Sequence, residues 1–222
     1  MDNILGDGVG SINLINSMGS DVDIVNAARV SFGKRKDLID NDDEVLIDYL
    51  AKHNHTSPFE HVTFTFHIKC PLFVRSQWMR HRTWSYNEIS RRYTTENIEF
   101  FVPNELRTQD TTDNLQGSSG VLSPDKNIRI SNIIAYHSNA ALDLYGKLLE
   151  QGVANEQARM VLPQNMYTEF YGTVNLHNLT HFIKLRSDSH AQQEIRAYSN
   201  AMVGLIQPVA PVALNALMKK RK

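Results

Sequence analysis

A ten-residue stretch of the sequence, HVTFTFHIKC at residues 61–70, alternates polar and apolar side chains without a break. Successive side chains of a β-strand point to opposite faces of a sheet, so this period of two predicts a strand with one buried face. Most of its residues are also types that favour strands. The chain therefore needs a sheet whose apolar face is covered. Cys70 lies on that face, which predicts a buried, inert thiol.

Helical periodicity recurs on both sides of this strand. Apolar spacings of three and four, together with capping residues, predict helices at 41–53, 71–82, 130–148, 155–162, 175–186 and 188–206, and a short one after Pro211. In the first helix, Asn41 is the expected cap and Glu44 reaches back to it. Further strands are predicted at 98–102 and 166–174.

These elements do not alternate regularly, which indicates the α+β class: an antiparallel or mixed sheet packed with several helices. A length of 222 residues suits a single compact domain over residues 1–222. Residues 104–125 are rich in Thr, Asp, Gln, Gly and Ser, and we expect them to form a mobile surface excursion.

Composition excludes several classes of function. A net charge of −1 provides no global field that would recruit nucleic acid or an anionic membrane. The single cysteine rules out a disulfide within the chain and favours a reducing compartment. No apolar run approaches the roughly 18 residues of a membrane span, and the N-terminus does not resemble a signal peptide. We expect a cytoplasmic protein without membrane or nucleic-acid partners.

Residues 75–92 break this neutral pattern, because they contain five arginines and one acidic residue, Glu88. Exposed helix faces usually mix both signs of charge, and arginines grouped without acids usually meet an anion. Aromatic residues at 78, 84, 86 and 93 could pack against a planar ring. The run predicts either a nucleotide site or, as the alternative function, a single-stranded nucleic-acid-binding module over residues 75–93. The neutral total charge favours the nucleotide.

Two other chemistries have weaker signals. His177 and His181 are four residues apart, the spacing of a zinc pair on a helix, and His190 could be a third ligand of a zinc hydrolase. A role as polar groups at a helix surface explains these histidines better, and we predict no metal site. Ser90 could be a nucleophile, but nothing in the sequence holds a base beside it.

Several blocks, in order, resemble the family of flavin-dependent thymidylate synthases. Arg80-His-Arg followed after seven residues by Ser90 is similar to that family's motif. The other similar blocks are Ala28–Phe32, His55–His61, Gln77-Trp78, Asn87-Glu88, Ala158–Pro163 and Leu185–Glu194. Together they span about residues 28–194.

The resemblance implies an α+β enzyme that methylates dUMP to dTMP. Methylenetetrahydrofolate would supply the one-carbon unit, and FAD reduced by NADPH or NADH would supply the hydride. The family forms homotetramers with active sites at subunit junctions, so a second partner of this chain would be its own copies.

The resemblance also implies roles for individual residues. The implied FAD contacts are His55, Ser57, Arg80, His81, Arg82, Glu88, Asn175, His177, His181 and His190. The implied dUMP contacts are Gln77, Arg80, Glu88, Ser90, Arg91, Arg92, Arg159 and Arg186. Arg186 and Ser90 would be catalytic.

Arg186 would lie against the uracil and stabilise the negative charge that develops on its ring, so no cysteine adduct would be needed. Ser90 would then be a hydrogen-bonding partner of the nucleotide. His177 departs from the family, which often places arginine there. One flavin contact is therefore either missing or replaced by a weaker, pH-dependent one.

Overall fold

The structure, a computed structural model, describes residues 1–112 and 117–219. Its strands are β1 (Ser11–Met18), β2 (Thr63–Pro71), β3 (Ser85–Glu88), β4 (Arg107–Gln109), β5 (Ser118–Val121) and β6 (Tyr167–Asn175). Its α-helices are α1 (Asp21–Arg29), α2 (Asn41–Lys52), α3 (Leu72–Trp78), α4 (Pro124–Glu150), α5 (Asn155–Ala158), α6 (Leu176–Arg186), α7 (Gln193–Ile206) and α8 (Pro211–Met218).

An antiparallel sheet in the order β1-β2-β6-β3 lies at the centre of the fold. It packs against several helices in one domain, as the α+β prediction requires. β4 and β5 pair separately as a hairpin. β3 is therefore an edge strand of the central sheet, and the loop that follows it starts at that edge.

The alternating stretch forms β2, two residues shorter at its start because Ser57–His61 make a 3₁₀ turn. Phe64, Phe66, Ile68 and Cys70 are buried, and the polar positions between them are half-buried. On the polar face the Thr65 and Thr173 hydroxyl oxygens are 2.9 Å apart, joining β2 to β6. The predicted two-faced strand is confirmed.

Trp78, at the end of α3, is the centre of the main core. Its ring stacks on Phe182 of α6 at 4.9 Å between centroids. It meets Phe170 of β6 edge-on at 5.4 Å, Tyr198 of α7 at 5.9 Å and Trp84 at 6.0 Å. One buried indole thus joins α3, α6 and α7 to the apolar face of the sheet. These contacts fix the position of α6.

A smaller core lies beneath α4. Tyr145, Ala158, Leu162 and Met166 are buried there, and Leu148 packs against them. The opposite face of α4 stays exposed although it carries several apolar side chains, among them Ile133, Tyr136 and Leu144. Despite the 27 residues of α4, none of the described helices has the length and hydropathy to cross a bilayer.

Two helix boundaries differ from the sequence-based expectation. The cap of α2 is Asp40, not Asn41, and Asp43, not Glu44, reaches back to it. The same capping spacing is shifted by one residue because Arg29 and Lys36 hold the buried Asp43 carboxylate.

The expected helix 71–82 ends at Trp78. The carbonyl oxygens of Trp78 and His81 accept hydrogen bonds from the Tyr86 hydroxyl at 3.2 and 3.0 Å. Because a side chain from β3 donates to these carbonyls, they do not need partners from a further helical turn, and the helix ends here. Arg80, His81 and Arg82 consequently lie in the loop between α3 and β3.

Three other predictions need correction. Residues 98–102 contribute only an isolated bridge between Phe100 and Met166, not a strand. The predicted helix 155–162 is α5 followed by the 3₁₀ turn Arg159–Val161. The helix expected from Asp188 starts at Gln193, because the Asp188 side chain accepts from His190 N in a tight turn instead.

The segment 104–125 contains the β4–β5 hairpin and the first residues of α4. Arg107 of β4 binds both carboxylate oxygens of Glu194 on α7, at 2.7 and 2.9 Å. The mobility predicted for this segment stays a prediction, and its residues 113–116 lie outside the described residues.

Candidate functional site

Arg186, the last residue of α6, meets the loop after α3. Its Nε donates to His81 Nε2 at 3.0 Å, and its Nη2 donates to the Gln77 carbonyl oxygen at 3.0 Å. The Gln77 side chain in turn donates to the Gln192 side chain, just before α7. Residues 105 positions apart in the chain are joined here because Trp78 and Phe182, next to them, stack in the core.

The hydrogen bond to Arg186 requires a neutral His81, because only an unprotonated Nε2 can accept. Burial and, after it, the charges of Arg186 and His181 together lower the pKa of His81 to about 4. At neutral pH His81 is therefore uncharged. Both acceptors that hold the Arg186 guanidinium are thus neutral groups.

Arg80 adds a second positive charge beside Arg186. Burial lowers the pKa of Arg186, and repulsion by Arg80 adds to that shift. Within residues 1–112 and 117–219, neither Arg80 nor Arg82 has a hydrogen-bonding or ion-pair partner. The half-buried guanidinium of Arg186 and the exposed guanidinium of Arg80 repel each other, which favours the entry of an anion or an electron-rich ring.

Glu88, at the end of β3, is held by two side chains. Arg75 Nε donates to Glu88 Oε2 at 2.9 Å, and the Thr168 hydroxyl donates to Oε1 at 2.7 Å. Arg75 therefore has an acid partner within the run 75–92, contrary to the expectation that acid partners are missing there. Arg75 and Thr168 together fix the Glu88 carboxylate at the edge of the sheet, two residues before Ser90.

A second group of predicted residues surrounds Glu156 of α5. Arg92 Nη2 lies 3.4 Å from its carboxylate, and Arg159 Nε donates to its carbonyl oxygen at 3.3 Å. Ser90 lies at the start of the same loop, where its Oγ accepts from Arg92 N at 3.3 Å. Ser90 and Arg92, on the loop after β3, are thus brought near Arg159, in the 3₁₀ turn after α5.

Arg91 has the opposite orientation to its neighbour Arg92. It is buried, and its guanidinium donates to the carbonyl oxygens of Glu96 and Asn97. Its predicted contact with dUMP stays a prediction. The backbone partners indicate a different role for Arg91 from the one expected.

A cavity of 720 Å³ lies along α6. His177, His181 and Lys184 line it from that helix, and Asn54 and Thr56 line it from the turn after α2. Its volume falls within the range of sites for large organic ligands, which is about 300–1,000 Å³. The imidazoles, the ammonium group and the hydroxyls suit a phosphate-bearing ligand, so this donor set fits a dinucleotide such as FAD.

The remaining predicted flavin contacts are distributed around this cavity. His55 and Ser57 are exposed neighbours of Thr56. Asn175 is the N-cap of α6, where its Oδ1 accepts from Asn178 N at 2.9 Å. His190 lines a separate cavity of 470 Å³ between the β4–β5 hairpin and the start of α7.

The zinc alternative gains no geometric support. Over the described ranges, no three His, Cys, Asp or Glu side chains are grouped as metal ligands would be. His177 and His181 share one face of α6, whereas His190 lies in the turn beyond it.

Sequence reasoning missed several residues that line the large cavity. Thr180 and Lys184 lie on α6 three and seven residues after His177, and so share its face. That helical spacing could have identified them. Thr56 and Lys219 carry no comparable signal, because the tertiary fold alone brings the end of α8 and the turn after α2 to α6.

Comparison with known proteins identifies the family. Residues 13–212 match the family model described as "Thymidylate synthase complementing protein". The chain is 46% identical over 211 residues to the flavin-dependent thymidylate synthase of Wolbachia pipientis wMel, covering 95% of this chain and 74% of that protein. It is 43% identical over 212 residues to that of Thermotoga neapolitana, covering 95% and 91%.

Solved structures agree with the sequence relatives. The UMP/dUMP methylase PolB from Streptomyces cacaoi, bound with 5-Br dUMP, has a TM-score of 0.85 to this chain at 34% identity. The match covers 93% of this chain and 94% of PolB. The chain therefore belongs to the family of flavin-dependent thymidylate synthases, the thymidylate synthase complementing proteins.

Proposed function

We propose that this enzyme converts dUMP to dTMP, with methylenetetrahydrofolate as one-carbon donor and FAD, reduced by NADPH or NADH, as hydride source. The observation that carries the proposal is the Arg186 guanidinium, which is held by two neutral acceptors beside the like charge of Arg80. The names of the sequence relatives and the 5-Br dUMP in PolB support the same reaction.

The role of Arg186 follows from the electron flow in the pyrimidine. C5 of dUMP becomes nucleophilic towards the one-carbon unit in the polarised form of the ring, in which negative charge is drawn towards N3, C4 and O4. A guanidinium already fixed at that position stabilises this charge more than it stabilises the neutral ground state, which lowers the barrier. His81 and Gln77 hold Arg186 in place before the ligand arrives, so little reorganisation is needed.

The nucleotide's phosphate would be bound by the other arginines. Arg80 lies beside Arg186, while Arg92 and Arg159 lie near Ser90 around Glu156. Forked guanidinium donors match phosphate oxygens well, and the Ser90 hydroxyl can donate to the same group. Gln77 and the fixed Glu88 carboxylate would orient the sugar and base.

The cavity along α6 would hold the flavin. A reduced flavin bound there would supply the hydride for the final reduction. His177, His181 and Lys184 offer donors to its phosphates, while His55, Ser57 and Asn175 would contact it from the ends of α2 and α6. Arg80, His81, Arg82, Glu88 and His190 complete the proposed set.

The direct test is dTMP formation from dUMP by the purified protein. We expect product only when methylenetetrahydrofolate, FAD and a reduced nicotinamide are all present, with NADPH and NADH tested in parallel. Omission of each component in turn is the control. A FAD-loaded protein that makes no dTMP with every component present would overturn the proposal. Salt-dependent binding of oligonucleotides by a colourless protein would favour the nucleic-acid-binding alternative instead.

We expect Cys70→Ser to leave the rate of dTMP formation largely unchanged. Cys70 is fully buried in β2, and burial raises the pKa of its thiol, so it is neither accessible nor ionised. A hydroxyl placed there without a partner costs about 1–3 kcal/mol of stability. Activity should therefore be measured per folded protein, with Cys70→Ala as a second variant. A folded but inactive Cys70→Ala protein would restore a thiol mechanism.

We also propose that the protein is a homotetramer with its active sites at subunit junctions. The exposed apolar face of α4, with Ile133, Tyr136 and Leu144, suits a second copy of the chain. Light scattering after size exclusion should give four times the 25.3 kDa chain mass. Ile133→Asp should shift the protein towards smaller species. A fully active monomer would contradict shared sites.

A further inference from the structure

Arg91 is the one arginine of the run 75–92 whose side chain turns into the protein. Its exposed fraction is 7%, whereas the Arg92 side chain is 50% exposed. Burial lowers the pKa of Arg91, and Tyr145 of α4 and Glu169 of β6 oppose that shift. Burying a guanidinium is unfavourable unless its donors are used, so its partners indicate what it does.

Those partners belong to the backbone of the loop that follows. Arg91 Nη1 donates to the Glu96 carbonyl oxygen at 2.5 Å, and Nη2 donates to the Asn97 carbonyl oxygen at 3.3 Å. Asn97 has a positive φ of 52°, so the chain reverses sharply where the guanidinium holds it. One side chain therefore closes residues 91–97 into a ring.

The start of the same loop is tied to Ser90 and to α5. Tyr93 N and Thr94 N donate to the Ser90 carbonyl oxygen at 2.9 and 3.2 Å. The Asn155 side chain donates to the Arg92 carbonyl oxygen at 3.2 Å. Ser90 and Arg92 thus stand on a loop whose beginning is a hydrogen-bonded turn and whose end is closed by Arg91.

We propose that Arg91 is a positioning residue that braces the loop 91–97 and thereby orients Ser90 and Arg92 towards the phosphate of the nucleotide. This inference rests on the proposed function for the identity of the ligand. It assigns Arg91 no contact with dUMP: the guanidinium is buried, both of its terminal nitrogens donate to carbonyl groups of the loop, and withdrawing it would open the ring of residues 91–97. Its Nε has no hydrogen-bond partner among the described residues, so the two terminal nitrogens alone brace the loop.

The first experiment compares Arg91→Met with the wild type and with Arg35→Met, a change at an exposed arginine in another loop. Hydrogen exchange of the free protein should accelerate over residues 92–97 in Arg91→Met and stay unchanged in Arg35→Met. The affinity for dUMP, measured by calorimetry on the FAD-loaded protein, should fall about tenfold or more, the effect of losing one charge-assisted contact. Faster exchange with unchanged dUMP affinity would overturn the positioning role.

The second experiment separates positioning from direct contact by a double-mutant cycle. If Arg91 acts through Arg92, then Arg91→Met should add little to the loss of affinity already caused by Arg92→Met. Full additivity with unchanged exchange would mean that Arg91 contacts the phosphate itself, and the proposal would be wrong. Arg91→Lys, which keeps the charge but not the fork, should give an intermediate effect and serves if Arg91→Met does not fold.

Failure of the proposed function would look different. If the wild-type protein bound no dUMP, the proposed ligand would be wrong, and the proposal that Arg91 positions Ser90 and Arg92 for that ligand would be wrong with it. In that case the exchange data on the free protein would still report whether Arg91 closes the loop.

Discussion

Replacing Arg186 with alanine should reduce the rate of dTMP formation by about 10²–10³-fold, the loss typical of removing one preorganised charge from a developing anion. FAD should stay bound, because the cavity along α6 is lined by other side chains of that helix. Turnover and flavin absorbance measured on the same sample separate the two effects. Loss of FAD together with activity would mean that Arg186 is a flavin ligand first.

The same substitution has a readout that does not depend on turnover. The charge of Arg186 is one cause of the low His81 pKa, after burial. In Arg186→Ala the pKa of His81 should rise from about 4 towards 6.5, although burial keeps it below that value. An NMR titration of His81 measures the shift. Arg35→Ala, at an exposed position, is the matched control and should change neither activity nor this pKa.

Replacing Trp78 with alanine should lower the free energy of unfolding by about 3–5 kcal/mol, a large part of a typical total of about 5–15 kcal/mol. The ring contacts four aromatic side chains, from α6, β6, α7 and the loop after α3, and its removal would leave a cavity among them. Denaturant unfolding at fixed protein concentration measures the loss, since assembly also contributes to stability.

Two comparisons make the Trp78 result specific. Trp78→Phe should cost less than Trp78→Ala, because the Trp78 Nε1 is buried without a hydrogen-bond partner among the described residues, so only volume is lost. Phe32→Ala, at an aromatic residue that is 76% exposed, should change stability by no more than about 0.5 kcal/mol. A Trp78→Ala protein as stable as Phe32→Ala would mean that the core is not centred there.

The parts of the fold that sequence predicted well are those with a local cause. β2 follows from uninterrupted alternation, and α6 follows from Asn175, whose side chain accepts from Asn178 N as a cap should. β1 was not predicted, because its register shifts between Leu14 and Asn16 and the shift breaks the alternation. The end of α3 was misplaced because a hydroxyl from the later strand β3 donates to the carbonyls of Trp78, its last residue, and of His81 in the loop beyond.

The site likewise contains features that the sequence predicted and features that it did not. Charge grouped in residues 75–92 predicted arginines without acid partners, and among the described residues Arg80, Arg82 and Arg91 have none. The partners of Arg75 and Arg92 come from Glu88 and Glu156, and those of Arg91 are backbone carbonyls, which no pattern of side chains reveals. The hydrogen bond between Arg186 and His81 was not predicted, since 105 residues separate them.

Tyr86 links two parts of the proposed site, the end of β3 and the loop between α3 and β3. Its backbone belongs to β3, whose far end carries Glu88 and leads to Ser90, while its hydroxyl holds the loop with Arg80 and His81. A ligand that displaces one end of this strand therefore also displaces the arginines at the other end. Binding of the phosphate near Ser90 would then be coupled to polarisation of the base through the side chain of Tyr86.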